Sequence, residues 1–180
     1  MKHKVIDNFY DEDLFNDLVT LFTGKNFEKK IPWHFNSSVS HADDVNNKLF
    51  YMTHMFYDRN VPRSRHYEKL FPLLQELGIA DWGLIRLKAN LYPNTEILHE
   101  HSMHTDYPFF HSGAVLSLNT CDGYTKLEDG TKINSVANRI LLFDPSEKHC
   151  STTTTNVPAR INININFIRE QYRENGVDNG

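Results

Sequence analysis

The sequence contains only two cysteines, Cys121 and Cys150, among its 180 residues. A disulfide framework or a zinc motif needs clustered cysteines, so we expect both residues to be reduced structural thiols. The chain also lacks a run of about 18 apolar residues, the length that a membrane-spanning helix requires, and its first residues lack the hydrophobic segment of a signal peptide. These absences predict a soluble, cytoplasmic protein with no membrane partner.

An excess of basic residues is also missing. The 19 lysines and arginines are outnumbered by 23 aspartates and glutamates, which gives a formal net charge of −4. A nucleic-acid surface normally needs concentrated positive charge, so we do not expect nucleic acid as a partner. No biased tract indicates disorder, because the hydrophobic and charged fractions, 39% and 23%, are close to those of ordinary globular proteins. A chain of this length predicts one domain.

The spacing of apolar residues differs between the two halves of the chain. Residues 11–24 carry apolar side chains at helical spacing, and Gly24 can end this helix. Leucines before Gly78 predict a second helix, which Pro72 should kink or delay, whereas residues 25–62 are expected to form short strands and loops. In the second half, β-rich runs separated by turns predict strands at 83–92, 112–119, 132–142 and 159–168.

This order of elements predicts an all-β core with N-terminal helices. The architecture most consistent with it is a double-stranded β-helix, or jelly roll, with the helices packed on one sheet. We expect one domain over residues 1–180, in which residues 1–81 form helical and lid-forming support and residues 82–170 form the catalytic β core.

The last predicted strand alternates without a break between polar and apolar residues. Because neighbouring side chains of a strand point to opposite faces, the isoleucines share one face, which the helices can cover. The other face carries Arg160, Asn162, Asn164 and Asn166. This polar row would line either solvent or the interior of the barrel, and an interior that binds a charged ligand would need such a row.

Histidines cluster before the second predicted strand, and two polar residues there suit a metal ion. His104 and Asp106 are separated by one residue, so in an extended segment both side chains project to the same side and can hold one ion. A third ligand is then needed, and His149 is expected to open another strand across the barrel. Two imidazoles and one carboxylate on one face of a metal are typical of non-haem iron(II) oxygenases.

Other histidines are alternative candidates for metal ligands. His99 and His101 also form a same-face pair, which could compete for the metal, although solvated loop positions are the favoured interpretation. A second H-x-D pair, His41 with Asp43, is followed by no arginine-led alternating strand, and we interpret it as surface or loop.

Arg160 follows His149 by eleven residues, on the polar face of the last strand. Its planar guanidinium can bind a carboxylate through two parallel hydrogen bonds. A dicarboxylate such as 2-oxoglutarate would suit both groups, with one end on the metal and the far carboxylate on Arg160.

The segment from Ile85 to Ile168 resembles the catalytic core of the prolyl-4-hydroxylase-like branch of the iron(II)/2-oxoglutarate dioxygenases. The matching pieces are Leu91-Tyr92-Pro93, His104-Thr105-Asp106, Val115-Leu116-Ser117-Leu118-Asn119, Arg139-Ile140-Leu141-Leu142-Phe143, His149 and Pro158-Ala159-Arg160. A difference is that Cys121–Leu127 stands where many relatives carry a Gly-Gly-x-Thr turn.

The resemblance implies roles for further residues and a reaction. Tyr92 would donate its hydroxyl to the far carboxylate of 2-oxoglutarate beside Arg160, and Asn162 and Ser117 are also expected to bind this cosubstrate. The implied cofactors are Fe(II), 2-oxoglutarate and O2, with ascorbate supportive. The implied activity is hydroxylation of an unactivated carbon, with release of succinate and CO2.

The substrate implied by the resemblance is a prolyl or other amino-acid residue of a protein or peptide, and a small molecule remains an alternative. Two other functions stay open on the sequence alone. They are a non-catalytic jelly-roll binding module and a cupin-like metalloenzyme that does not use 2-oxoglutarate.

Overall fold

The structure, a computed structural model, describes residues 3–24, 30–39, 48–79 and 83–168. In chain order the elements are β1 (Lys4–Ile6), α1 (Glu12–Thr23), β2 (His34–Asn36), β3 (Tyr51–Asp58), β4 (Val61–Pro62), the 3-10 helix η1 (Tyr67–Leu70), α2 (Phe71–Glu76), β5 (Gly83–Pro93), β6 (Ser112–Ser117), β7 (Tyr124–Leu127), β8 (Lys132–Asn134), β9 (Arg139–Phe143), β10 (His149–Ser151) and β11 (Ala159–Ile168).

Two antiparallel sheets form the β core. The larger sheet has eight strands in the order β1-β9-β6-β11-β5-β3-β2, with β4 paired to β3, and the smaller sheet has the order β10-β7-β8. Strand β11 lies in the middle of the larger sheet, between β6 and β5. The predicted jelly roll is confirmed.

The helices cover one face of the larger sheet, as predicted. Helix α1 begins where the Asp11 carboxylate accepts hydrogen bonds from the backbone amides of Asp13 and Leu14, which satisfies two of the free donors of the first turn. Pro72 lies in the first turn of α2, where the missing amide costs little. The buried side chains of both helices and the isoleucines of β11 belong to one core. The residues are Phe15, Leu18, Leu21 and Phe22 of α1, Leu73 and Leu74 of α2, and Ile161, Ile163 and Ile165 of β11. Full burial of such a side chain contributes about 1.5–3 kcal/mol.

The N-terminal part of the chain is less helical than its predicted supporting role suggests. Strands β1 to β4 all join the larger sheet, and those within residues 25–62 agree with the prediction of short strands there. None of the helices in the described ranges is long and apolar enough to cross a membrane. His41 and Asp43 lie outside the described residues.

The prediction of one continuous strand over residues 132–142 was wrong. The segment divides into β8 and β9, which belong to different sheets, because Asn138 has a left-handed backbone with φ of 60°. The Asn138 side chain accepts a hydrogen bond from Tyr10 N at 2.9 Å and donates one to Tyr10 O at 2.7 Å. This break is stabilised by a residue 128 positions away, which strand periodicity does not report.

The two cysteines are free and buried, as predicted. Cys150 follows His149 in β10, and Cys121 lies in the loop before β7.

Candidate functional site

The three predicted metal ligands lie together at one end of the barrel interior. His104 and His149 form an antiparallel bridge in which each backbone amide donates to the other carbonyl at 2.9 Å. This bridge joins the loop after β5 to the first residue of β10. One side-chain donor atom from each of His104, Asp106 and His149 lies within 4.8 Å of the others, and no other group of this kind occurs among the described residues.

Both imidazoles are oriented by backbone carbonyls. His104 Nδ1 lies 3.3 Å from Ser102 O, and His149 Nδ1 lies 3.1 Å from Glu147 O. A proton on Nδ1 leaves the Nε2 lone pair available to a metal ion. Burial lowers the pKa of His104 to about 4, with a further contribution from His149, and burial also lowers the pKa of His149. Both rings are therefore neutral at pH 7, as metal binding requires.

Asp106 is held as a carboxylate by its neighbours. Burial alone would raise its pKa, but the nearby Arg86 and His149 and a hydrogen bond from Asn166 keep the pKa well below the ordinary value. Arg86 Nη2 lies 2.8 Å from Asp106 Oδ1, and Asn166 Nδ2 donates to Asp106 Oδ2 at 2.8 Å. The carboxylate is therefore both charged and fixed in orientation.

Asn166 connects this carboxylate to two further residues. Its Oδ1 accepts a hydrogen bond from Arg86 Nε at 3.1 Å, and its Nδ2 lies 3.1 Å from His111 Nε2. His111 Nδ1 lies 2.8 Å from Phe109 O; a proton there makes His111 Nε2 an acceptor for Asn166. The amide of Asn166 is thereby fully used in positioning Asp106.

We expect Asn166→Ala to weaken Fe(II) binding about 10- to 100-fold, the usual cost of losing a residue that orients a metal ligand. Anaerobic titration of the purified protein with Fe(II) measures this change. Asn164→Ala is the matched control on the same strand, because Asn164 Nδ2 is 3.4 Å from Asp106 Oδ2 and its loss should cost less. Equal effects of the two substitutions would contradict the assigned role of Asn166.

Arg160 lies in the barrel interior and is only 1% exposed. Its Nη2 donates to Thr125 Oγ1 at 2.9 Å and its Nη1 to Thr152 O at 3.3 Å, while its Nε is buried and has no acceptor in the described part of the chain. Within the same residues, no carboxylate forms an ion pair with it. A buried, unpaired guanidinium is costly, so this arrangement suits an anionic ligand.

The other predicted cosubstrate residues, Tyr92, Asn162 and Ser117, lie on β11 or on the strands paired with it. Tyr92, 5% exposed, is directly opposite Arg160 in the β5–β11 pair, and the guanidinium carbon lies 5.4 Å from the centre of its ring. Burial raises the pKa of the Tyr92 hydroxyl, which therefore remains a donor. Asn162 accepts a hydrogen bond from Asn90 at 2.9 Å. Ser117 is buried opposite Asn162 in the β6–β11 pair, but it does not line the cavity described next.

A narrow cavity runs between the two ends of this site. It is bordered by the three candidate metal ligands at one end and by Tyr92 and Thr125 at the other. Thr125 Oγ1 accepts a hydrogen bond from Arg160, so the cavity connects the metal-ligand end to the vicinity of the buried guanidinium.

Space for Arg160 depends on Gly123, which lies two residues before Thr125. A Cβ atom at Gly123 would be 2.7 Å from Arg160 Cδ and 2.7 Å from Thr153 O. Real Cβ contacts are not this short, so any side chain at this position must move the arginine or the backbone.

We expect Gly123→Ala to displace Arg160 and to lower both stability and affinity for 2-oxoglutarate. Overpacking of this kind costs about 1–3 kcal/mol. Thermal unfolding with and without 2-oxoglutarate measures both effects. Gly83→Ala is the control, because a Cβ there meets Ile168 at an ordinary 3.5 Å; an equal loss in that variant would remove the special role of Gly123.

Of the polar face of β5, only Tyr92 was predicted from the sequence. Four alternate residues of β5 lie opposite the polar row of β11, in the pairs Arg86–Asn166, Lys88–Asn164, Asn90–Asn162 and Tyr92–Arg160. The same alternation is visible in the sequence from Arg86 to Tyr92, where apolar residues separate these positions. The period of two could therefore have identified the row, although not its partners.

The expectation that His101 is a solvated loop residue was wrong. It is 3% exposed, and its ring centre lies 5.6 Å from that of Tyr92. His99 is half-buried, with its amide donating to Thr153 Oγ1 at 3.0 Å. Neither residue belongs to the group of candidate metal ligands.

Comparison with known proteins supports the fold. No family model matches the chain, and no curated protein matches it in sequence. An oxidoreductase of the 2OG-Fe(II) oxygenase family from Burkholderia pseudomallei superposes with a TM-score of 0.67 at 13% identity, over 94% of this chain and 86% of that one. A Pseudomonas putida prolyl-4-hydroxylase gives 0.59 at 16% identity, over 93% and 92%. A Trichoplax adhaerens prolyl hydroxylase, solved with a hypoxia inducible factor peptide fragment, gives 0.61 at 14% identity, over 92% and 83%.

Proposed function

We propose that this protein is an Fe(II)- and 2-oxoglutarate-dependent dioxygenase that hydroxylates an unactivated carbon. The observation that carries the proposal is a single cavity with a metal-ligand set at one end. At its other end lie the surroundings of a buried arginine that has no carboxylate partner among the described residues. A dicarboxylate that also binds a metal is the ligand that such a cavity suits. The shared fold with oxygenases supports the same function.

The residues present fit Fe(II). His104, Asp106 and His149 would hold it, since two neutral imidazoles and one carboxylate are the ligands of non-haem iron(II) oxygenases and leave coordination positions open. Arg86 and Asn166 keep the carboxylate ionised and oriented. The Nδ1 contacts of the two histidines keep their Nε2 atoms available.

The residues at the other end fit the far carboxylate of 2-oxoglutarate. Arg160 would bind it by charge-assisted hydrogen bonds, with Tyr92 as a second donor and Thr125 holding the guanidinium in place. Asn162, with Ser117 behind it, would border the bound cosubstrate. When bound, iron, 2-oxoglutarate and O2 supply an oxidative decarboxylation that releases succinate and CO2 and oxidises a carbon–hydrogen bond of the substrate.

The protein's own contribution is binding, orientation and exclusion of water. The cavity is narrow, and its lining includes the thiol of Cys150. That thiol is 1% exposed and its pKa is raised by burial, so it stays protonated and unreactive toward oxidants. Because the prolyl hydroxylases have the same fold, we propose that the oxidised carbon belongs to an amino acid. This amino acid is either a residue of a protein or peptide, or a free molecule.

The test is succinate release by purified protein supplied with Fe(II), ascorbate, O2 and 2-oxoglutarate. We expect slow release without substrate, dependent on both iron and 2-oxoglutarate. In a separate measurement, 2-oxoglutarate should raise the thermal stability of the anaerobic iron-loaded protein, since a ligand that binds only the folded state stabilises it. Neither release nor stabilisation would be seen in a metalloenzyme or binding module that does not use 2-oxoglutarate.

A further inference from the structure

A second, wider cleft opens to the surface from the metal-ligand end of the site. It has a volume of about 510 Å³ and shares His104 and Asp106 with the narrow cavity. Volumes of roughly 300–1,000 Å³ are typical of sites for small molecules. The cleft is therefore the route by which a substrate would reach the candidate metal centre, and its lining should reflect the chemistry of that substrate.

The charge of this cleft is positive, although the whole chain is acidic. Its lining includes three cations, Arg86, Lys88 and Lys148, and among the described residues that line it the only carboxylate is Asp106. Arg86 is already paired with Asp106 at 2.8 Å. Lys88 and Lys148 thus line the cleft without a carboxylate partner in the described part of the chain, although the protein has a net charge of −4.

Lys88 is the more informative of the two lysines. Its side chain is half-buried and lines both the narrow cavity and the wider cleft. No carboxylate lies within ion-pair distance of it among residues 3–24, 30–39, 48–79 and 83–168, and its ammonium group is 5.7 Å from the centre of the Tyr51 ring. Removing an ammonium group from water without a counter-charge is unfavourable, so its position suits an anion that arrives from outside.

The register of β5 separates Lys88 from the residues proposed for the cosubstrate. Lys88 is opposite Asn164, whereas Arg160 is opposite Tyr92, four residues further along β5. Four residues of a strand span ~13 Å. The two cations therefore lie at different levels of the barrel. Lys88 is at the level of the metal-ligand end, because its strand partner Asn164 contacts Asp106.

We infer that the substrate is a small molecule with a carboxylate near the carbon that is oxidised, and that Lys88 binds this carboxylate while Lys148 attracts it at the rim. A single ammonium group balances the one negative charge of a carboxylate. A phosphate dianion would need both lysines at one point, but only Lys88 lines both cavities, whereas Lys148 lines the wider cleft alone. This inference rests on the proposed function and specifies the substrate of the same site.

The experiment compares matched acids and amides as stimulants of succinate release. The probes are the free amino acids, their N-acetyl derivatives, simple aliphatic carboxylic acids, the corresponding primary amides, phosphorylated serine and threonine, and acidic peptides. We expect stimulation by one or more small acids, and at least about tenfold less by the matched amide, because a charge-assisted hydrogen bond is lost. Saturation-transfer NMR on the anaerobic iron- and 2-oxoglutarate-loaded protein should show the same preference in binding.

The substitution Lys88→Met tests whether Lys88 binds the carboxylate of the substrate. It should reduce the preference for the acid over its amide about 10- to 100-fold, mainly by raising KM for the acid. Lys69→Met, at an exposed lysine of η1, is the control and should retain the wild-type preference.

Stimulation by amides, phosphorylated amino acids or peptides that equals or exceeds that by small acids would overturn the inference, as would stimulation by none of the acids. An acid preference that is unchanged in Lys88→Met would remove Lys88 from this role. A higher KM for 2-oxoglutarate in this variant, without a change in the acid preference, would do the same. Release without substrate is measured first and tests the proposed function alone, so the two failures are distinguishable.

Discussion

Replacing Asp106 with asparagine should abolish Fe(II) binding and reduce succinate release more than about 100-fold. Loss of a residue that only orients a metal ligand already costs about 10- to 100-fold, and Asp106 would be a direct ligand. Asparagine has the size of aspartate but lacks its charge, which would leave Arg86, 2.8 Å away, without its partner. Anaerobic Fe(II) titration and the succinate assay measure the two effects.

The two histidines extend this test. His104→Ala and His149→Ala should give the same loss, because each removes one of three donor atoms that lie within 4.8 Å of one another. Asp17→Asn on the exposed side of α1 and His34→Ala in β2 serve as controls for the same chemical changes at exposed positions. Retention of iron-dependent turnover by all three site variants would end the proposal of a metal centre here.

Replacing Arg160 with methionine should raise the requirement for 2-oxoglutarate about 10- to 100-fold. A charge-assisted bond to a carboxylate contributes about 1.5–3 kcal/mol, and methionine keeps the length of the side chain while removing that bond. The KM for 2-oxoglutarate in the succinate assay measures the change. The 2-oxoglutarate-dependent rise in unfolding temperature should fall in parallel.

Stability distinguishes a binding role of Arg160 from a structural one. The guanidinium is buried, and among the described residues its Nε has no acceptor and no carboxylate pairs with it. Replacing an uncompensated buried charge with an apolar group of similar size is neutral or stabilising, so Arg160→Met should unfold at or above the wild-type temperature when 2-oxoglutarate is absent. Arg63→Met, at an exposed arginine, controls for the substitution. Marked destabilisation of Arg160→Met without ligand would indicate a structural arginine instead.

Several elements of the site followed from local sequence patterns. The one-residue spacing of His104 and Asp106 predicted that they act from one side of an extended segment, and the alternation of β11 predicted a polar row that includes Arg160. Both features depend only on the period of two of an extended chain. The jelly roll also followed, because the order of short strands after the helices restricts the possible architectures.

Other features depended on contacts between distant segments. The continuous strand predicted over 132–142 is broken because Asn138 bonds with the backbone of Tyr10, and His101 is buried against Tyr92 although its own segment is polar. Neither contact leaves a periodic signal in its own segment.

By itself the sequence determined which side chains share a face of each strand, since that choice follows from the alternation of an extended backbone. Only the tertiary structure decided which faces meet. The pairing of β11 with β5 sets Arg160 against Tyr92 and Lys88 against Asn164, and the His104–His149 bridge closes the three candidate ligands into one group. Strand register arises from the packing of the whole sheet and from backbone hydrogen bonds between remote segments. For that reason the burial of Arg160 and the positive charge of the cleft could be seen only once the chain was folded.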